Sequence, residues 1–210
     1  MLTTRAWSWT AEPGFNVTVT NPTDAELVES CLAGRRESFD VLVERHQRHV
    51  YQLCYRFVGN HEDASDLAQD VFIRAYRGLK SFQGQAALGT WLYRIGVNVC
   101  LNKVAARTPV PDALDPLLAA SDERIASPAE SATDTLLRGE RAVQVRAAIA
   151  KLPNKQRATL ILRVYHELPH EEIAGILGSS VGAVKANFFH ALNNLKKLMR
   201  EAGCDPGRNR

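Results

Sequence analysis

From Asp24 onward, apolar residues return at three- and four-residue steps, the period of helices that pack by one face. Phe39, Leu42, Val43, Val50, Leu53, Cys54 and Phe57 form one such stripe. Gly59-Asn60 ends it, and Asn60 is placed to cap a second helix. That helix carries Leu67, Ala68, Val71, Phe72, Ala75, Tyr76 and Leu79 on its apolar side. Asp63, Asp66, Asp70, Arg74 and Arg77 lie opposite, facing solvent. Ser81 to Gly89 holds two glycines and breaks the pattern, while Leu88, Trp91, Leu92, Ile95 and Val99 start a third stripe. No strand pattern competes, so the first half is expected to be a bundle of three or four helices.

Residues 108–135 change character. They contain Pro109, Pro111, Pro116 and Pro128, and six acids against the single Arg124, so they cannot bury enough apolar surface to fold alone. A flexible acidic linker is the expectation. Beyond it, Leu136 to Leu152 and Lys155 to Tyr165 read as two helices, Pro153 starting the second. A third runs from His170 to Leu177 and a fourth from Ser180 to Arg200, with Val181, Val184, Phe188, Leu192, Leu195 and Leu198 as its buried stripe. The predicted fold is all-α. Two small helical domains, 23–107 and 136–202, follow a disordered extension at 1–22 and precede a tail at 203–210.

Charge sharpens this division. The net +3 of the 210 residues conceals a sum of +1 over residues 1–107, −5 over 108–135 and +7 over 136–210. Cys31, Cys54, Cys100 and Cys204 are too scattered for a disulfide framework or a zinc site and read as reduced cytosolic thiols, two of them on apolar helical positions. No apolar run approaches a membrane span and the N-terminus lacks a secretory core, so no membrane insertion is expected. The six histidines are dispersed, and neither a glycine-rich phosphate loop nor a nucleophile–base pair is present. An enzyme, a metal and a cofactor are therefore not expected.

Two surfaces carry candidate chemistry. Val71 to Arg107 holds six Arg or Lys and no acid, interleaved with Phe72, Tyr76, Phe82, Trp91 and Tyr93. Cations track phosphates while ring faces stack on unpaired bases, which suits single-stranded nucleic acid. The neighbouring Glu62, Asp63, Asp66 and Asp70 would repel that backbone, so they are expected to face a protein. The second surface lies in His170 to Phe189. Small Ala174, Gly178 at a turn, and Val184 ten residues after Ala174 have the spacing of a helix-turn-helix, with Ile173 and Leu177 filling the space between. Ser179 and Ser180 would cap its second helix, and from there to Arg200 every charge is basic.

With these motifs in order, the chain resembles the extracytoplasmic-function (ECF) sigma factors of bacterial RNA polymerase, RpoE-like members of the sigma-70 family. The resemblance spans about residues 24–199. Asp63-Ala64-Ser65-Asp66-Leu67-Ala68-Gln69-Asp70-Val71-Phe72 is similar to the family's region 2.2, which docks on the clamp of the β′ subunit. Ser81-Phe82-Gln83-Gly84 with Thr90-Trp91-Leu92-Tyr93-Arg94-Ile95 and Asn98 is similar to regions 2.3 and 2.4, which melt and read the −10 element. Leu152-Pro153, Gln156-Arg157, Glu172-Ile173-Ala174 and Gly182-Ala183-Val184-Lys185 are similar to region 4, which reads the −35 element.

The resemblance implies a factor that binds core polymerase, through the β′ clamp and β flap, and directs initiation at selected promoters. It implies core-binding roles for Asp63, Asp66, Leu67, Gln69, Asp70, Phe72 and Ile73. It assigns −10 DNA to Arg74, Arg77, Lys80, Phe82, Gln83, Gly84, Thr90, Trp91, Arg94 and Asn98. It assigns −35 DNA to Ser179, Ser180, Lys185, Ala186, Asn187, Phe189 and His190. A cognate anti-sigma factor is also implied. The sequence departs from the family after Lys185, where a Ser-Arg pair and further arginines are common but Ala186, Asn187, His190 and Leu192 stand here. Fewer fixed cations weaken the nonspecific hold on duplex DNA. The rival readings are a stand-alone helix-turn-helix regulator, which leaves the first domain's two faces without a purpose, and a helical adaptor, which leaves the acid-free recognition helix unexplained.

Overall fold

The computed structural model describes residues 21–84, 86–106 and 132–202. Thr23 opens α1 (Asp24–Leu32) with a capping box: its hydroxyl accepts the Glu26 amide, and the Glu26 carboxylate accepts the Thr23 amide at 2.6 Å. Those bonds hold the Glu26 carboxyl below its ordinary pKa, the Thr23 backbone bond contributing most. The carboxylate of Asp24 accepts from Arg45 at 3.0 Å and bonds His46 at 2.7 Å, fastening α1 to α2 (Glu37–Val58). The sequence had read a single stripe here; the turn around Gly34, at φ 97°, makes two helices of it.

As expected, Gly59 ends α2 in the left-handed region and Asn60 caps α3 (His61–Gly78), accepting the Asp63 amide at 2.9 Å. A short 3-10 turn over Leu79–Ser81 precedes α4 (Leu88–Ala106). Leu42, Val50, Leu53, Cys54, Phe57, Leu67, Val71, Ala75, Leu92, Val97 and Cys100 fill the core of this first bundle. Gly96 is the point of closest approach, since a Cβ there would stand 2.7 Å from a Leu53 methyl. Cys54 and Cys100 are buried free thiols, and hydrogen bonding to Cys54 together with burial pushes the Cys100 thiol well above its ordinary range.

The second bundle contains α5 (Ala132–Ala150), α6 (Asn154–Val164), α7 (His170–Leu177) and α8 (Val181–Glu201). Pro153 stands at the N-cap of α6 as the sequence indicated. α5 starts four residues inside the stretch expected to be linker; the rest of that stretch, nearly all of the N-terminal extension and the tail lie outside the described residues. No strand forms among the described residues.

Three stripe positions differ from expectation. Leu192 is 44% exposed, and Ala191 takes its place inside. Eight residues after Val184 at about 100° per residue is well off the axis of the stripe, whereas seven residues returns close to it. Tyr76 is likewise 44% exposed, on the flank of α3, with its ring edge-on to Phe39 at 4.9 Å between centroids. Trp91 is half-buried, its ring 5.2 Å from that of Phe82 and resting over Gly78.

The two bundles touch. Arg157 of α6 donates to the backbone carbonyl of Phe57, and the Arg56 guanidinium lies 3.9 Å over the Tyr165 ring. Tyr93 meets His166, hydroxyl to Nδ1 at 3.0 Å, and Thr90 donates to the Glu172 carboxylate at 3.3 Å.

Candidate nucleic-acid interface

The helix-turn-helix is built as its spacing indicated. Ile173, Ala174 and Val184 are buried between α7 and α8, and Gly178 adopts φ 58°, its amide bonding the Ala174 carbonyl. Ser179 bonds the same carbonyl at 3.0 Å through its own amide, closing a Schellman-type end. The two serines divide their roles. Ser180 is the N-cap, accepting the Ala183 amide at 3.2 Å, while the Ser179 hydroxyl turns back to the Leu177 carbonyl. Ser179 is therefore a turn residue and not a cap of α8. Lys185, Ala186, Phe189 and His190 are exposed along α8 and Asn187 is half-exposed. Phe189, 62% exposed, does not pack into its own bundle, which had been its plainer explanation.

On the first bundle, the expected strand-capturing residues separate. Phe82, Gln83, Thr90, Trp91 and Arg94 converge on one cleft of about 370 Å³ whose far wall is Gly175 and Ile176 of α7. Arg77, Lys80 and Asn98 are exposed outside it, and Gly84 forms the positive-φ corner of the connecting loop, at 68°. Arg74 is drawn to the Asp70 carboxylate at 2.9 Å, whose hydrogen bond and charge raise the guanidinium pKa further.

The acidic end of α3 also divides. Asp66 and Gln69 are exposed, as is Ile73 at 42%. Asp63 is not free to meet a partner: Lys103 of α4 pairs with it at 3.0 Å and the Asn60 amide donates to it at 2.7 Å. Leu67 is 7% exposed and belongs to the core. The expectation that both face outward fails because each sits on the edge of the stripe nearest a neighbouring helix. Gln69 and Phe72 instead border a groove of about 600 Å³, completed by Ser65 and Ala68 and, across from them, Val43, Gln47, Arg48 and Tyr51 of α2. Sequence reasoning missed the α2 wall. Its signal was present, because Val43, Gln47 and Tyr51 recur every four residues along one flank of the apolar stripe.

The Sigma-70 region 2 family matches residues 42–109, which span this groove and cleft, and the Sigma-70, region 4 family matches residues 142–195, which span the helix-turn-helix. Over 194 residues the chain is 36% identical to the RNA polymerase sigma-H factor of Pseudomonas aeruginosa, covering 88% of this chain and all of that one. It is 38% identical over 186 residues to the ECF RNA polymerase sigma-E factor of Escherichia coli K12, covering 85% and 97%.

The chain belongs to the ECF sigma factors. It is an alternative sigma factor, a transcription initiation factor and not an enzyme, and the stand-alone regulator reading is not favoured. The sigma factor shares its fold with CnrH, solved in complex with the cytosolic domain of CnrY, at a TM-score of 0.61 and 23% identity over 83% of this chain and 96% of that one. No helix among the described residues is long and apolar enough to cross a membrane.

Proposed function

We propose that the sigma factor divides its α3–α4 surface between two partners. The α2–α3 groove, with Asp66, Gln69, Asp70, Phe72 and Ile73 along its α3 side, takes the β′ clamp of core polymerase. The cleft of Phe82, Gln83, Thr90, Trp91 and Arg94, flanked by Arg74, Arg77, Lys80, Gly84 and Asn98, takes the melted −10 strand. Asp63 and Leu67 act only by holding α3 in place. Ser179 and Ser180 set the angle of α8, whose Lys185, Ala186, Asn187, Phe189 and His190 face the −35 element. Work on promoter DNA with polymerase implies the cytoplasm. An anti-sigma partner is part of the reading, supported by family membership and by the partner seen with CnrH.

The observation that carries this reading is the groove itself. It is partly apolar, contains one cation in Arg48 and an exposed carboxylate at its rim in Asp66, and opens on the opposite side of Phe72 from the basic residues. A protein helix fits such a groove better than a phosphate backbone does. Asp66→Arg combined with Gln69→Arg reverses the rim without touching the core. The double variant should fail to co-purify core polymerase while keeping its helicity by circular dichroism, and undiminished retention of core overturns the assignment.

A further inference from the structure

We propose that the unbound sigma factor holds itself shut, docking the α6–α7 turn and α7 across the strand-capturing side of α4 through a joint built to release. The masking half of this statement rests on the −10 reading given above; the closure itself does not.

The contacts fix what is covered. Thr90, at the mouth of the cleft, is engaged by Glu172, and Ile176 of α7 forms the wall that faces Trp91 and Arg94. A single strand entering that cleft needs α7 to withdraw. The same helix opens the helix-turn-helix, so closure also ties the orientation of α8 to the first bundle and sets the spacing of the two DNA-reading elements.

The chemistry of the joint argues against a permanent interface. Arg157 is 6% exposed, yet its partners are the carbonyl oxygens of Phe57 and Ala150 and not a carboxylate, and its Nε has no hydrogen-bond partner. Burial accordingly lowers the guanidinium pKa. A buried charge without a counter-charge gives back much of what its contacts gain. His166 is enclosed between Tyr93 of α4 and the cations Arg56 and His49 of α2, its Nε2 shielded and unbonded. Glu167, next in the turn, is held at φ 55°, a left-handed conformation that costs a non-glycine residue of order 1–2 kcal/mol. Cations gathered without balancing carboxylates, an unbonded ring nitrogen and a strained turn describe a latch close to its opening point.

Full-length protein tests this by small-angle X-ray scattering and by anisotropy with a short fluorescent adenine/thymine single strand. Arg157→Ala removes the buried pin, and Glu172→Arg, at an exposed position, adds repulsion without disturbing either core. Both variants should scatter as larger particles of unchanged helicity. If closure leaves about a tenth of the molecules open, both should bind the strand roughly tenfold more tightly, because apparent affinity scales with the competent fraction. Wild-type scattering already as extended as that of the variants overturns the closure. Expansion without tighter strand binding overturns the masking, and retention of core polymerase then reports separately on the proposed α2–α3 docking site.

Discussion

Among single residues, neighbours of similar chemistry have been given different work by their position. Asp63 and Asp66 are one helical turn apart, but Lys103 neutralises the first while the second projects into solvent. Lys185 stands exposed one turn into α8, within reach of guanine acceptors if that helix lies in the major groove. Lys185→Ala should cost about 1–3 kcal/mol at the preferred −35 sequence and relax discrimination at one base. Binding to a set of single-base variants at two salt concentrations checks this, since a phosphate contact would give a uniform loss and a shallower salt slope. Phe189 makes the complementary case. Being 62% exposed, its replacement by Ser should leave thermal stability within about 0.5 kcal/mol while weakening assembly on promoter DNA. A stability loss well beyond that would return Phe189 to a structural role.

Between elements, glycines record where helices are forced close or turned sharply. Gly96 lets α4 meet Leu53 of α2, where a Cβ would come within 2.7 Å of a buried methyl. Alanine gains about 1 kcal/mol in helix propensity, yet overpacking a filled core costs about 1–3 kcal/mol. Gly96→Ala should therefore lower the melting temperature slightly, and Gly96→Val much more; an unchanged midpoint for the valine variant would show that Leu53 has room to turn. Gly178 is different, because nothing lies within 4 Å of its missing Cβ and the constraint is its φ of 58° alone. Gly178→Ala should cost about 1 kcal/mol through backbone strain, and Gly178→Asn less, since asparagine tolerates that region. Denaturant midpoints separate the two. The Gly178 turn was legible in sequence from its place between two apolar stripes, whereas the Gly96 contact was not. Its cause is a residue from a different helix.

For the whole molecule, the joint between bundles should respond to acid. Burial, with His49 and Arg56 nearby, depresses His166 to about 4 from its ordinary 6.5. An open form titrating near 6.5 takes up a proton that the closed form refuses. Closure is then fully supported above about pH 6.5, weakens as pH falls toward about 4, and loses nothing further from this group below that. The radius of gyration should rise over that window, and His166→Gln should flatten the change; an equal rise in the variant would assign the effect to other groups.

Helix number in the second bundle, the all-α class, the capping of α3 and α8 by Asn60 and Ser180, and the positive-φ turn at Gly178 were all determined by the sequence on its own. Each depends on side chains within a few residues of one another, so local periodicity and backbone sterics suffice. The tertiary structure decided which flank of each stripe remained open. It buried Leu67 and Ala191, exposed Tyr76 and Leu192, took Asp63 out of solvent through Lys103 and brought the unrecognised α2 wall opposite Gln69 and Phe72. It also set α7 against α4, joining residues more than eighty positions apart. These outcomes depend on the direction from which a second helix arrives, and a residue's own helical period carries no information about its neighbour's approach.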